Sequence, residues 1–519
     1  MYLTQGLHRS LQRHAGKLAL RHLGDADETS LDVASLVQQV ARLAAALQAC
    51  GVAAGDRVAL LSPNNHHLVQ QLLACWWLGA VVCPLNTRWS ATALHHAVAN
   101  CGASLLLVDP GLALLSAQAG LAAALKAGGR ELDSPGLASQ AAQHLPLADS
   151  RTGGDALAAL LYTGGSTGQS KGVMLTHANF WAAAMARMAA LNNPPEGVTL
   201  LVAPLFHVAG LGRLVTQLIA GSSCLTLAQF RPEVVMAAIA GHGVSDILLV
   251  PTMLQSLLDH PGFDASRLQG LRRIAFGAAP MPPTLLARAL AAWPEVEFVQ
   301  AYGMTETAAT VCINLPPMHR PGPGADAATR KRQGSVGQAG LAVELRIVDE
   351  QGIDRPAGQV GEILVRGPMV MQGYWQRPEA TALALQDGWL RTGDAGRIDE
   401  DGYLFIADRI KDMIITGGEN VYSAEVEAVL RLHPAVADVA VVAVPHPVWG
   451  EAVHAVVVLA SGALPQPDAL RRFCRKQLAG YKCPRSVSFA SSLPFTAAGK
   501  VQKAALRETL KKQMAKTPL

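Results

Sequence analysis

The chain has 519 residues, half of them hydrophobic and 16% charged. That length exceeds what one hydrophobic core usually serves, so two or more domains are expected, and the composition excludes an intrinsically disordered chain. The 43 basic and 39 acidic residues nearly cancel to a formal charge of +4 and form no block of like sign, which argues against a nucleic-acid groove.

Residues 31–50 place apolar side chains at helical spacing and stop at Gly51. A strand at 56–61, a helix at 65–79, a strand at 80–83, a helix at 90–100 and a strand at 104–108 follow. The longest apolar stretch, 72–85, holds Gly79 and Pro84 and is too short to cross a bilayer, so it reads as a buried helix running into a strand. Residues 111–150 are alanine-rich and carry no functional signal. A short buried strand at 156–161 leads into a glycine-rich segment. Strands at 199–203, 223–227, 246–250 and 272–276 then alternate with helices at 210–220, 232–241, 252–259 and 283–292. This alternation predicts an α/β fold whose parallel sheets are covered by helices.

The Pro-, Gly- and Arg-containing stretch 316–334 is expected to be an exposed loop. Residues 341–366 switch to short β-like runs, a small barrel or antiparallel subdomain. A boundary falls at 408–411, dividing an N-terminal domain (1–407) from a C-terminal one (412–519). The latter reads as a strand at 412–415, a Gly-Gly turn at 417–418, a helix at 423–432, strands at 437–444 and 453–459, a helix at 467–477 and a loop carrying Lys500. That is the size of a small α+β domain. The eight cysteines include no Cys-x-x-Cys pair, so thiols in a reducing compartment are expected and a zinc site is not. The first twenty residues carry charges where a secretory signal needs an apolar core, so a cytoplasmic location is expected.

Residues 162–172 read Tyr-Thr-Gly-Gly-Ser-Thr-Gly-Gln-Ser-Lys-Gly. Four glycines and four Ser/Thr hydroxyls surround Lys171. Glycines leave backbone N–H groups free to wrap an anion, hydroxyls add donors, and the lysine adds a point charge. The segment is a phosphate cradle, but not a Walker A loop, because the Gly-Lys pair falls out of register. Further segments sit after predicted strands. Pro204 to Gly210 carries His207, which a structural histidine would also explain. Gly277-Ala278-Ala279-Pro280 permits close approach of a flat ligand, or merely a tight turn.

Ala301-Tyr302-Gly303-Met304-Thr305-Glu306 brings a ring, a hydroxyl and a carboxylate together; they suit a purine, a phosphate and Mg²⁺ respectively. Asp394 follows a tight turn and suits ribose hydroxyls, although an Asx-turn looks the same. Asp408-Arg409-Ile410-Lys411, with Gly417-Gly418 beyond, alone reads as a solvated interdomain link. Gly499-Lys500 alone reads as surface.

In their order, these segments resemble the adenylate-forming superfamily of acyl-CoA synthetases, adenylation domains and luciferases. The resemblance covers about residues 20–505 and is most similar to the acyl-CoA synthetases of the fatty-acyl or 4-coumarate ligase kind. It implies a large N-terminal domain, a small mobile α+β C-terminal lid and a two-step reaction. A carboxylate attacks the α-phosphate of MgATP, giving an acyl-adenylate and pyrophosphate, and the thiol of CoA then displaces AMP. It also implies roles by position. Thr163, Gly164, Gly165, Ser166, Thr167, Gly168 and Lys171 hold the β- and γ-phosphates. Ala278, Ala279 and Pro280 border the adenine, with Tyr302 against the ring. Thr305 contacts the α-phosphate and Glu306 is the Mg²⁺ ligand.

Asp394 and Arg409 bind the ribose, Lys411 stands at the hinge, and Gly417 and Gly418 line the pantetheine tunnel. Lys500 bridges the acyl carboxylate and the α-phosphate. The acyl pocket lies near His207, Gly277, Ala278, Ala301, Gly303, Met304 and the residues after Glu306, namely Ala308, Ala309 and Val311. Those side chains are mostly small or apolar, so an uncharged medium-length aliphatic or aromatic acid is expected. Arg213 would meet a second carboxylate, or is a surface charge on its helix. The chain departs from the family at Gly165, where Ser or Thr is commoner, and at Ser170, where Pro is. The implied partners are a small carboxylic acid, ATP and CoA, with a homodimer open. The competing readings are an adenylation enzyme loading a carrier-protein thiol in trans, a luciferase-like oxygenase, and a non-catalytic nucleotide-binding regulator. The joint presence of Glu306 and Lys500 argues against the last.

Overall fold

In a computed structural model of the chain, the described residues are 1–24, 28–163, 170–191, 197–496 and 500–516. They pack into two compact units, one of residues 1–344 with 365–390, the other of residues 345–364 with 391–519.

The first unit holds two large sheets. Among the described residues, one has seven strands, with Arg57–Leu61 parallel to Val81–Pro84 and to Leu105–Val108, and Val81–Pro84 parallel in turn to Leu157–Thr163. Leu105–Val108 and residues 58–61 are buried throughout. Such unbroken apolar runs are what strands covered on both faces require. The helix His66–Leu78 is likewise buried at nearly every position, hence enclosed rather than amphipathic. Its ends are written in the sequence. Asn65 accepts from the Leu68 N–H at 2.8 Å, and Gly79 closes the helix at φ 86°.

The second sheet has nine strands, and its parallel part includes Val198–Leu201, Asp246–Leu249, Arg273–Gly277 and Glu297–Tyr302. Helices Val208–Ala220, Pro232–Gly241, Pro251–Leu258 and Pro283–Ala292 alternate with these strands. Phe276 and Phe298 anchor the core beneath them and are fully buried. The alternation predicted from periodicity is present, with boundaries shifted by one or two residues.

Three stretches differ from expectation. Residues 316–334 form short helices, Pro316–His319 and Ala327–Lys331, because Pro316 and Asp326 supply a first-turn proline and an N-cap. Residues 171–191 form a strand, Lys171–Thr176, and a helix, His177–Leu191, that hydrophobic periodicity did not reveal. The helix is alanine-rich, so its stripe is faint. A charged C-terminal helix, Lys503–Lys516, was likewise invisible to apolar spacing.

Of the short β runs expected over 341–366, Glu344–Val348 and Gly361–Arg366 are present, in a sheet with Trp389–Ile398 and Leu404–Arg409. Residues 345–364 and 391–407 fall in the second unit rather than with the N-terminal residues as the sequence boundary at 408–411 had them. A separate sheet pairs Val436–His446 with Gly450–Leu459 over a valine-rich core that includes Val439, Val441, Val453 and Val457. Ser423–Leu430 and Pro467–Arg475 are its helices. Among the described residues, no helix is long and apolar enough to cross a membrane.

Candidate active site

In the first unit, the candidate residues Ala278, Tyr302 and Glu306 follow the carboxyl ends of parallel strands, where α/β sheets open their crevices. Thr163 and Lys171 are register partners at the mouth of the hairpin made by Leu157–Thr163 and Lys171–Thr176. The glycine-rich residues between them, Gly164, Gly165, Ser166, Thr167 and Gly168, lie outside the described residues. The two-residue strand Gly373–Tyr374 pairs against Lys171–Thr176 on its other edge. This pairing sets Tyr374 beside the lysine, whose Nζ lies 4.7 Å from the centroid of the Tyr374 ring.

The Tyr374 hydroxyl donates to Glu306 Oε1 at 2.9 Å. Glu306 is buried, and its carbonyl accepts from the Met371 N–H, so the segment carrying Tyr374 is fastened to the acidic turn twice. Lys171 and Glu306, two positions singled out from sequence, therefore meet on one ring. Tyr374 itself was missed: a Gly-Tyr dipeptide carries no chemical signal until the strand pairing is known.

Thr305 begins a single 3₁₀ turn, Thr305–Thr307, at the end of Glu297–Tyr302. The Met304 N–H donates to the Thr307 hydroxyl at 3.0 Å, which closes the turn and fixes Glu306 facing inward. Beyond it, Ala308 and Ala309 take left-handed backbone, at φ 47° and 86°. Ala278, just after Arg273–Gly277, does the same at φ 64°. Three alanines in a conformation that favours glycine mark a locally strained site, a pattern concentrated where ligands bind.

Gly277 and Ala301 are register partners, and a Cβ on Gly277 would stand 2.4 Å from the Ala301 carbonyl oxygen. A Cβ on Gly303 would stand equally close to the Ala309 carbonyl. Both glycines are dictated by backbone approach. Ala278, Ala279, Tyr302, Gly303 and Met304 are half-buried and Pro280 is exposed, so the edge of this crevice is open. His207 is the N-cap residue of Val208–Ala220, its ring against Phe206. Arg213, on that helix, is not a surface charge: it is buried, 3.5 Å from Asp246.

In the second unit, Asp394 and Arg409 are register partners, with Arg409 Nε 2.6 Å from Asp394 Oδ1. Asp408 is no solvated link. It is buried and accepts from the Ser423 hydroxyl and the Ala424 N–H. Lys411 lies on the next turn, its ammonium pushed below the usual lysine range by burial and by the neighbouring Arg409. Gly417 and Gly418, at φ 60° and 85°, make the two-residue turn between Ile414–Thr416 and Glu419–Val421. Lys500 is exposed, its backbone bonded to Thr496 beside the Phe495–Val501 bridge.

Residues 7–375 match the AMP-binding enzyme family and residues 425–500 its C-terminal domain. The chain belongs to the AMP-binding enzyme family. A feruloyl-CoA synthase of an Amycolatopsis species is 42% identical over 490 residues, covering 94% of this chain and 95% of the relative. A fatty acid–[acyl-carrier-protein] ligase of Streptomyces coeruleorubidus is 37% identical, covering 90% and 89%. Among solved structures, ATP-bound MatB from Rhodopseudomonas palustris superposes with a TM-score of 0.88 at 32% identity, over 99% of this chain and all of the other. The AMP-binding family thus spans nearly the whole chain.

Proposed function

We propose that this AMP-binding enzyme is an ATP-dependent acyl-CoA ligase that activates an aromatic or medium-length aliphatic acid as its acyl-adenylate and passes the acyl group to CoA. The observation that carries the reading is the convergence of Lys171 and Glu306 on Tyr374 at the loop end of the hairpin formed by Leu157–Thr163 and Lys171–Thr176. A cation that offsets phosphate charge and an anion that suits a metal ion are thereby held close without pairing with each other.

The residues fit Mg²⁺. Glu306 presents one buried carboxylate whose Oε1 is taken by Tyr374. A magnesium ion held mainly by substrate phosphates needs only one or two such ligands. When bound, the ion neutralises phosphate charge. The chain's own residues do the rest. Lys171, with the backbone of residues 164–168, holds the β- and γ-phosphates, and Thr305 steadies the α-phosphate. Tyr302 and Ala278 to Pro280 border the adenine. Asp394 and Arg409 take the ribose, and His207 stands at the acyl entrance. Lys500 offsets charge where the two anions meet, and the Gly417-Gly418 turn serves the thiol step.

ATP–pyrophosphate exchange across aryl, hydroxycinnamic and aliphatic acids, repeated with CoA, tests this. Acid-dependent exchange followed by thioester formation is expected, and exchange with no acid of any class overturns the reading. A second reading, transfer to a carrier-protein thiol, is favoured by the likeness to the Streptomyces coeruleorubidus ligase. Exchange without any CoA thioester would select it.

A further inference from the structure

Arg187 stands where an apolar side chain belongs. The inward stripe of His177–Leu191 runs through Phe180, Ala183, Ala184 and Leu191, all buried, and Arg187 occupies the same stripe. Its Nη2 donates to the Gly212 carbonyl at 2.7 Å and to the Thr216 hydroxyl, and its Nη1 to the Thr310 hydroxyl at 3.2 Å. Nε is sealed from solvent with no hydrogen-bond partner among the described residues. All three acceptors are neutral, and no carboxylate among the described residues pairs with this guanidinium.

The charge that does act on Arg187 is a second guanidinium, Arg213, which adds to burial in pushing it down to about 9. Asp246 does not relieve the excess, because it is shared between Arg213 at 3.5 Å and Arg273 at 3.7 Å. Glu297 is spent on Arg273 and half exposed. Two buried guanidiniums and a half-buried one, its Nε sealed, thus face two carboxylates. A buried cation with a spare donor is costly unless an anion or strong acceptor completes it.

The Arg187 guanidinium lies beside the crevice described above. A Cβ on Gly212 would be 3.4 Å from both the Ala309 Cβ and Arg187 Nη2, and a Cβ on Gly303 would meet the Ala309 carbonyl. Gly303, Ala309 and Gly212 therefore lead from Tyr302 to the guanidinium along small residues only. The left-handed bend at Ala308 and Ala309 carries the chain from Glu306 to Thr310, which Arg187 holds. We infer that Arg187 is the distal recognition group of the acyl pocket, selecting an acid that bears an oxygen acceptor, a phenolic oxygen or a second carboxylate, at the end opposite the carboxylate being activated. The inference rests on the ligase reading and narrows its substrate class.

The test is kcat/KM in ATP–pyrophosphate exchange for two matched pairs, cinnamate against 4-hydroxycinnamate and octanoate against octanedioate. The wild-type enzyme is expected to favour the oxygenated member of one pair by about tenfold or more, and that pair identifies the source of the oxygen. Arg187→Met keeps the length and apolar fit of the site. It should abolish the preference through the KM for the acid while the KM for ATP stays within about twofold. Equal use of both members of each pair by the wild-type enzyme overturns the inference, and this comparison needs no variant. So does an Arg187→Met enzyme that loses activity on both members by the same factor, as a purely structural arginine would. Failure to exchange with any acid would instead sink the ligase reading.

Discussion

Tyr374→Phe deletes one oxygen and leaves the ring. The backbone of Tyr374 is held by the Thr381 hydroxyl at 2.9 Å and by pairing with Val173, so phenylalanine occupies the same place under Lys171. What disappears is the 2.9 Å bond to Glu306. A hydrogen bond to a charged group contributes about 1.5–3 kcal/mol. If the phenol orients the carboxylate for its task, that converts to a loss of about ten- to a hundredfold in the adenylation step. The assay is pyrophosphate release at varied Mg²⁺ and ATP, alongside thioester formation from a supplied acyl-adenylate. Tyr374→Phe should raise the Mg²⁺ requirement and slow release, with the thioester step within about twofold of wild type. In a Glu306→Gln background the further effect of Tyr374→Phe should shrink to within about 0.5 kcal/mol. Adenylation at the wild-type rate, or equal slowing of both half-reactions, would refute the orienting role.

Lys500→Ala should slow pyrophosphate release by about a hundredfold or more and leave conversion of a supplied adenylate nearly intact, since removing one preorganised electrostatic partner has that scale; equal slowing of both steps contradicts it. Lys503 pairs with Glu427 at 2.7 Å with both side chains nearly buried, and it also donates to Ser423, which in turn holds Asp408. Lys503→Met strands the Glu427 charge, so the second unit should lose about 3 kcal/mol in urea denaturation followed by a probe in that unit. A change under about 1 kcal/mol would show the pair is replaceable. His177, His319 and His454 are each pushed down to about 4 by burial, against an ordinary value near 6.5. Each is neutral in the fold and takes up a proton on unfolding, so stability is full above about pH 6.5 and falls as pH drops toward 4, by about 2–3 kcal/mol per histidine. Thermal melts at pH 7, 6, 5 and 4.5 should show that decline, and a flat profile would mean the rings are solvated. His454, between the hydroxyls of Ser486 and Ser488, is the one to replace by glutamine, which should flatten the slope contributed by the second unit.

Much of this molecule is written locally. Asn65 and Gly79 end a helix wherever they stand, buried parallel strands need unbroken apolar runs, and a dense glycine-hydroxyl loop with one lysine announces a phosphate. Such signals act over a few residues, so the alternation of strands and helices was legible without coordinates, whereas the grouping of residues 345–364 and 391–407 with the C-terminal residues was not. Tyr374, Arg187 and Arg213 were not. The role of Tyr374 depends on a two-residue strand finding the edge beside Lys171, residues far apart in the chain. The charges of Arg187 and Arg213 acquire meaning only from burial and from how few carboxylates lie near them. Pairing partners and local dielectric are properties of the packed interior, and tertiary structure alone decides them.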